Sequence, residues 1–423
     1  MEILVIGQGA REHAIVRTLL KDDGVIVHCA PGNPGIARDV TTHPVDAANG
    51  DSVVALARFL DVDLVVIGPE APLVAGVADA LRAADFAVFG PSGAAAQLEG
   101  SKAFAKEIMK AANVPTADAR LCTTVEQASA ALDEFGSPYV VKDDGLAAGK
   151  GVVVTDDREA ALAHAQACIT GRVDGAVVIE EFLDGPEVSL FGITDGLVIV
   201  PLSPAQDFKR VADNDEGPNT GGMGAYTPLP WAPDDLVSQV HATVLQPMID
   251  EMAKRGTPFA GLLYAGLALT SRGVKVIEFN ARFGDPETQV VLARLNSPLS
   301  QILYLAATES LSAMPELEWK NESAVTVVMA AQGYPDAPVL GARISGIQGA
   351  EVAGADVFHA GTTQSEEALV VSGGRVLSVT ASGIDLNEAR AKAYAALEHI
   401  SFSGAHNRSD IALKAAEGEI LVP

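Results

Sequence analysis

Val276-Ile277-Glu278-Phe279-Asn280-Ala281-Arg282-Phe283-Gly284-Asp285-Pro286-Glu287 begins as a strand and ends in a turn. Strand side chains alternate between faces, which predicts Ile277 and Phe279 on one side and Glu278 and Asn280 on the other. Two oxygen-bearing side chains roughly 7 Å apart along one face can share a hard cation. Mg²⁺ takes oxygen ligands and completes its shell with waters and substrate phosphates. Arg282 then supplies a fixed charge on a planar fork that suits carboxylate or phosphoryl oxygens. A metal pair, an arginine and a Gly-Asp-Pro turn in so short a span point to phosphoryl chemistry. Alone, Glu278 and Asn280 read more readily as an edge strand with a solvated polar face, so the rest of the chain has to decide.

The chain has 423 residues, more than one core accommodates, and about two to four domains are expected. A hydrophobic share of 48% and a charged share of 20% are those of an ordinary globular protein rather than a fibre or a disordered chain. The formal net charge of −26 repels nucleic acid and anionic membrane, so neither is expected as a partner. An anionic substrate then needs local clusters of Lys, Arg and backbone N–H groups. Cys29, Cys122 and Cys168 are few, odd in number and never in a C-x-x-C arrangement, which argues against a disulfide frame or a thiolate metal site. The opening Met1-Glu2-Ile3-Leu4-Val5-Ile6-Gly7 reads as a strand, not a signal peptide. The apolar run over 259–269 is too short to span a bilayer. A soluble, cytoplasmic protein is expected.

Working towards the N-terminus, residues 3–6, 25–29, 64–67 and 87–89 read as buried strands with helical stretches between them. Gly7-Gln8-Gly9, Gly68-Pro69-Glu70 and Gly90-Pro91-Ser92 follow three of them. This is the βαβ rhythm of a doubly wound parallel sheet, assigned to a Rossmann-like domain over 1–100. A helix from 100 to about 113 carries Lys102 and Lys106 and ends before Pro115. Residues 101–319 form a mixed, two-lobed unit with a smaller α+β lobe at 116–190. That lobe has strands at 139–142, 152–155 and 177–180 and a helix at 158–169. A polar loop spans 207–226. A β-rich α+β domain is assigned to 320–423, with strands at 325–330, 356–359, 368–371 and 375–380 and a helix at 386–400.

Four further stretches carry chemistry. Gly7-x-Gly9-x-x-Glu12 after a strand is half of a dinucleotide fingerprint, with Glu12 where the third glycine belongs. Backbone N–H groups at a helix N-terminus, with Arg11 beside them, favour the phosphate of a smaller substrate; a plain tight turn is the alternative. Lys142-Asp143-Asp144-Gly145-Leu146-Ala147-Ala148-Gly149-Lys150-Gly151 lies between two strands and can fold its glycines over phosphate oxygens, although a flexible hairpin has the same composition. Val178-Ile179-Glu180-Glu181-Phe182-Leu183, with Glu187 beyond, is a strand-to-hinge segment able to offer backbone groups to an adenine edge and a carboxylate to ribose; it also reads as a domain-crossing strand with exposed acids. Asp207-Phe208-Lys209-Arg210 and Gly217-Pro218-Asn219-Thr220-Gly221-Gly222-Met223-Gly224 form a long glycine-rich loop, and loops this long inside compact domains are often functional. His241, His359 and His406 have no metal-type spacing and read as surface or satisfied core histidines.

A helix lysine, a strand lysine, a glycine loop, an acidic hinge and a metal strand, in that order, resemble the ATP-grasp superfamily, in which two α+β units close on ATP. Longer strings narrow the likeness. Gly7-Gln8-Gly9-Ala10-Arg11-Glu12-His13-Ala14, Gly68-Pro69-Glu70-Ala71-Pro72-Leu73, Gln97-Leu98-Glu99-Gly100-Ser101-Lys102, Asp144 to Gly151, Pro218 to Tyr226 and Arg282 to Glu287 resemble the phosphoribosylamine–glycine ligase (glycinamide ribonucleotide synthetase) family. The resemblance continues through Phe358-His359-Ala360-Gly361-Thr362 and Gly373-Gly374-Arg375-Val376-Leu377, so it covers nearly the whole chain.

It implies an ATP-grasp domain over 101–319 and a carbon–nitrogen ligase of purine synthesis that joins glycine to 5-phospho-β-D-ribosylamine through glycyl phosphate. ATP is the implied co-substrate, with Mg²⁺ or Mn²⁺, and the implied state is a monomer or weak homo-oligomer. It also implies roles. Glu278 and Asn280 hold the metal, and Lys102 and Lys142 contact the phosphates. Gly149, Lys150 and Gly151 cover those phosphates, while Glu180, Leu183 and Glu187 hold the nucleoside. Arg282, with Lys142, is catalytic. Gly7, Gly9, Arg11, Glu12, Asp207 and Lys209 hold the ribosylamine. Another ATP-grasp carboxylate–amine ligase of purine synthesis is the nearer alternative, and a dehydrogenase-type or non-catalytic nucleotide binder the farther one. The chain departs from the family's usual pattern at Ala10, at Asp143 beside Lys142, and at Phe208 where a histidine is expected. It also carries no acid over 259–269 to assist Glu278 and Asn280.

Overall fold

The structure, a computed structural model, describes residues 1–145, 151–171, 173 and 175–423. The first apolar runs form a five-stranded parallel sheet in the order Thr41–Thr42, Ile26–Pro31, Glu2–Gly7, Leu64–Ile67, Ala87–Phe89. Ile3, Leu4, Val5, Leu64, Val65 and Val66 are all fully buried, as strands covered by helices on both faces require. The strand order reverses between Glu2–Gly7 and Leu64–Ile67. A crevice opens at the carboxyl ends of two such strands, and ligands of doubly wound sheets bind there. Gly7-Gln8-Gly9 and Gly68-Pro69-Glu70 are those two ends.

The smaller lobe is a four-stranded antiparallel sheet in the order Ala119–Cys122, Val177–Glu180, Tyr139–Asp143, Val152–Thr155. Helices Val125–Phe135 and Arg158–Thr170 pack on it, capped by Thr124 and Asp157. Leu132, Val141, Ala161, Ala165, Val177 and Ile179 belong to a hydrophobic cluster separate from the two large ones of the molecule. The main central sheet is antiparallel, in the order Ile199–Pro201, Glu187–Asp195, Ala260–Thr270, Gly273–Asn280.

The region expected as one polar loop over 207–226 contains two ladders. Arg210–Ala212 pairs with Glu216–Asn219, and Gln206–Asp207 pairs with Gly224–Thr227. Gly224–Thr227 then pairs with Ser323–Ala330, so the last sheet runs Gln206–Asp207, Gly224–Thr227, Ser323–Ala330, Arg375–Gly383, Asp356–His359. The final sheet therefore takes two of its strands from the middle of the chain. Among the described residues no helix is long and apolar enough to cross a membrane.

Candidate active site

A cavity of about 1300 Å³ lies where the parallel sheet, the smaller lobe, the central sheet and the final sheet meet. Single small-ligand sites run to about 1,000 Å³, so this one has room for a nucleotide and further substrates together.

Its wall is strand Gly273–Asn280. The register against Ala260–Thr270 shifts: Glu278 faces Gly266, but Val276 faces Leu267, leaving Ile277 as the extra residue of a bulge. The expected alternation is corrected accordingly. Val276 and Phe279 are buried, while Ile277, half-buried at the bulge, lines the cavity together with Glu278, Phe279 and Asn280. The bulge also turns the Ile277 carbonyl to Lys142 Nζ, 2.9 Å away. Burial opposes ionisation of Glu278, but Lys209, Lys142, Lys102 and Arg282 outweigh it and hold the carboxyl below its ordinary range. Among the described residues no group of three or more His, Cys, Asp or Glu could hold a metal. Glu278 and Asn280 thus offer a two-oxygen set that leaves most of a cation's shell to phosphates and water, and an anionic Glu278 fits that use.

The lysines are held in place by a carboxylate. Glu180, at the end of strand Val177–Glu180, is buried and pairs with Lys142 (2.7 Å) and Lys106 (3.0 Å). Both of its oxygens meet lysines, so Glu180, expected to hold the nucleoside, braces two lysines while lining the cavity. Among the described residues Lys142 spends two of its three donors, on Glu180 and Ile277. Lys102 reaches the Gly145 carbonyl at 3.1 Å. Ser101 caps helix Lys102–Ala111, and Asp144 also accepts from the Ala103 amide at its start. Lys142 lines the cavity and Asp143 does not, as strand alternation predicts for the odd acid. Leu183, Glu187 and Gly151 line the cavity too. Gly149 and Lys150 lie outside the described residues.

Arg282 is bound from two sides. Nη2 meets Glu99 at 2.8 Å and Nε meets Glu70 at 3.2 Å. The second oxygen of Glu99 accepts from the Ala281 amide at 2.8 Å. The guanidinium is therefore fixed before any substrate arrives. Beyond it, Ser189 Oγ bridges Tyr264 Oη (2.8 Å) and Glu287 (3.2 Å). Lys209 pairs with Glu187, joining two residues that the sequence reading gave to different substrates. Asp207 faces the cavity, where loss of solvent and the charges of Glu287, Glu187 and Glu278 push its carboxyl upward against the pull of Lys209.

The Gly7-Gln8-Gly9 turn is not an open anion seat. Glu12 folds back so that its carboxylate accepts from the Gly9 amide at 2.6 Å. The space that a side chain at Gly7, Gly9 or Gly68 would need is already filled by Glu12. Arg11 ion-pairs with Glu12 and donates to the Phe283 carbonyl at 3.0 Å. Of the four residues expected to bind substrate here, Arg11 reaches the cavity wall; Gly7, Gly9 and Glu12 instead form a self-filled cap. Phe208, in place of the expected histidine, packs between Tyr226 and the guanidinium of Arg408, whose carbon is 4.9 Å from the ring centre.

Comparison with known proteins bears on what this arrangement is for. Three phosphoribosylglycinamide synthetase models match: the N domain over residues 1–99, the ATP-grasp (A) domain over 100–288 and the C domain over 324–414. The chain belongs to the phosphoribosylglycinamide synthetase family. Membership of an ATP-grasp family implies ATP with a divalent metal ion. The chain is 62% identical to the phosphoribosylamine–glycine ligase of Streptomyces coelicolor, over 98% of this chain and 100% of that protein. Identity to the Mycobacterium tuberculosis phosphoribosylamine–glycine ligase is 54%, over 100% of both. The crystal structure of the Thermotoga maritima phosphoribosylamine–glycine ligase superposes with a TM-score of 0.84 at 36% identity, covering 97% of this chain and 100% of that one. The biotin carboxylase domain of Hydrogenobacter thermophilus 2-oxoglutarate carboxylase, at 17% identity and a TM-score of 0.71, shares the fold.

Within the synthetase family's motifs, the sequence reading passed over several residues that the structure brings to the cavity: Glu70, Glu99, Asp285, Glu287 and Arg375. Each lies in a string that carried the family resemblance, which was the available signal. What the string could not supply was the partner, because Arg282 meets Glu70 and Glu99 only through the fold.

Proposed function

We infer that this protein joins glycine to 5-phospho-β-D-ribosylamine with ATP, forming glycinamide ribonucleotide, ADP and phosphate. The observation that carries the reading is the convergence of Glu278, Asn280, Arg282, Lys102 and Lys142 on one cavity beside the parallel sheet's crevice. A carboxylate is a poor electrophile. One glycine carboxylate oxygen attacks the γ-phosphorus and ADP leaves, giving glycyl phosphate. The ribosylamine nitrogen attacks the acyl carbon and loses a proton, and phosphate leaves with the oxygen that had bridged carbon and phosphorus. Positioning and charge stabilisation supply most of the catalysis of such a transfer.

Lys142 and Lys102 hold the ATP phosphates, and Leu183 and Glu187 face the nucleoside. Arg282, kept in place by Glu70 and Glu99, steadies charge on the transferring group. Arg11, Asp207 and Lys209 serve the ribosylamine, with Asp207 accepting from its amine. A divalent ion, Mg²⁺ or Mn²⁺, held by Glu278 and Asn280 would neutralise phosphate charge. The smaller lobe closes over ATP and shields the acyl phosphate from water. The setting is the cytoplasm. Glycine labelled with ¹⁸O in its carboxyl tests the reading: label should appear in the released inorganic phosphate, in step with ADP, only when ribosylamine is present. Unlabelled phosphate would end it.

A further inference from the structure

Arg375 stands at the start of strand Arg375–Gly383, in the final sheet, and its guanidinium reaches the cavity. Among the described residues all its hydrogen bonds run through one nitrogen. Nη1 donates to the carbonyls of Gly221 (2.6 Å), Gly222 (3.5 Å) and Asp285, and lies 3.5 Å from the Asp285 carboxylate. Among the described residues Nε and Nη2 have no hydrogen-bond partner. These two form the edge that grips a phosphate with two parallel bonds. Gly221 leaves that edge uncovered: a Cβ there would sit 3.0 Å from Cζ, 3.2 Å from Nη2 and 3.3 Å from Nε. Tyr334 lies beside it. Its hydroxyl accepts from the Gly221 amide at 3.0 Å, so its own hydrogen is available to a ligand in the cavity.

Most other cations of the cavity are committed elsewhere. Lys142, Lys209 and Arg282 are paired with carboxylates, and Arg11 with Glu12. Lys102 acts on Glu278, at the metal strand. Arg375 acts on the turn at Asp285, beside the Gly221-Gly222 loop. The turn at Gly7-Gln8-Gly9, the obvious phosphate seat by sequence, is filled by Glu12.

We propose that Arg375, assisted by the Tyr334 hydroxyl, is the seat of the phosphate carried by the sugar substrate. The identity of that substrate rests on the ligase reading above; the seat itself is a site for a phosphosugar. The test is equilibrium binding to the full chain of ribose 5-phosphate against ribose, a pair that differs in the phosphate alone, with ADP as a control. Wild type should bind ribose 5-phosphate much more tightly than ribose. Arg375→Met should lower that preference about 30-fold, because two charge-assisted hydrogen bonds are lost. Arg375→Lys, which keeps the charge without the fork, should lower it about 10-fold, and Tyr334→Phe about 3-fold. ADP affinity and melting temperature should stay at wild-type values in the lysine and phenylalanine variants, which read the same ratio if Arg375→Met unfolds. An unchanged preference in Arg375→Lys and Tyr334→Phe overturns the proposal, as does an equal loss for ribose and ribose 5-phosphate. Lost preference without label transfer from glycine keeps the seat and removes the ligase; label transfer with an unchanged preference does the reverse.

Discussion

The strand wall and the smaller lobe border the same cavity but are built on opposite terms. The wall's key side chain, Arg282, is tied to Glu70 and Glu99 from the parallel-sheet region, and its neighbours Ala281 and Phe283 belong one to each of the two large hydrophobic clusters. The lobe has a small core of its own. Its described links to the body are largely polar: the Val276 amide to the Pro115 carbonyl (2.8 Å), Thr116 Oγ1 to the Val276 carbonyl (2.6 Å), Lys142 to the Ile277 carbonyl, Lys106 to Glu180, the start of helix Lys102–Ala111 to Asp144 and Gly145, and a clasp in which Glu181 meets Arg272 (2.7 Å) and Lys275 (2.8 Å). Groups that must be aimed at the reacting atoms are fixed by interlocking parts. On the proposed reading the lobe admits and releases nucleotide, and its separate core lets it shift by exchanging polar links rather than by opening a shared core. On this division, wall substitutions should change turnover and lobe substitutions should change nucleotide binding.

The hardest blow to that division would come from Arg282→Ala. Turnover should fall on the order of 10²-fold or more while affinity for a non-hydrolysable ATP analogue stays within about 3-fold. Near-normal turnover would make Arg282 a tie between domains and nothing more. Glu278→Gln should come next. With one charged oxygen gone, the metal concentration for half-maximal rate should rise at least about 10-fold, and excess metal should restore part of the rate. A variant with unchanged metal dependence would exclude Glu278 as a ligand.

Smaller effects belong to the hinge. Gly185 has φ +84, and a Cβ there would collide with the Leu269 carbonyl. Gly185→Ala should strain the hinge by about 1–3 kcal/mol and raise KM for ATP about tenfold while kcat stays within about twofold; a reversed pattern would merge lobe and wall into one unit. The least effect is expected at the clasp. Burial opposes ionisation of Glu181, but hydrogen bonds from Lys275 and Arg272 overcome it and lower the carboxyl to about 2. Its folded value lies below the ordinary 4.5, so its stabilisation is complete above that pH and is lost as pH falls towards 2. Glu181→Gln should cost about 1 kcal/mol near neutrality, since the clasp is partly solvated, and should flatten acid unfolding between those values. Acid titrations that superimpose would show that the clasp contributes nothing.

Much of the architecture was legible because it is written in local pattern. Runs such as Ile3-Leu4-Val5-Ile6 are apolar on both faces, as a strand covered on both sides requires, and the Gly-rich turns and helical stretches between them mark the sheet as parallel. Glu278 and Asn280 were legible as a pair because they sit two residues apart on a strand. The bulge at Ile277 was not, since it arises from register against a partner strand that sequence does not display. Nor was the fate of Gly7-Gln8-Gly9: glycines announce that a backbone can approach something, and the something proved to be Glu12. The ladders inside 206–227 were hidden for a related reason. They are too short for periodicity to show, and the outer partner of Gly224–Thr227, Ser323–Ala330, lies about a hundred positions later in the chain.

The shared final sheet sets a limit on how this chain can be taken apart. A fragment beginning near residue 320 would carry Ser323–Ala330 with one margin bare, because Gly224–Thr227 would have stayed behind. Eight consecutive buried residues would then border solvent or another copy of the fragment. Anyone shuffling parts between relatives would do better to exchange the tail together with the mid-chain ribbon that completes it.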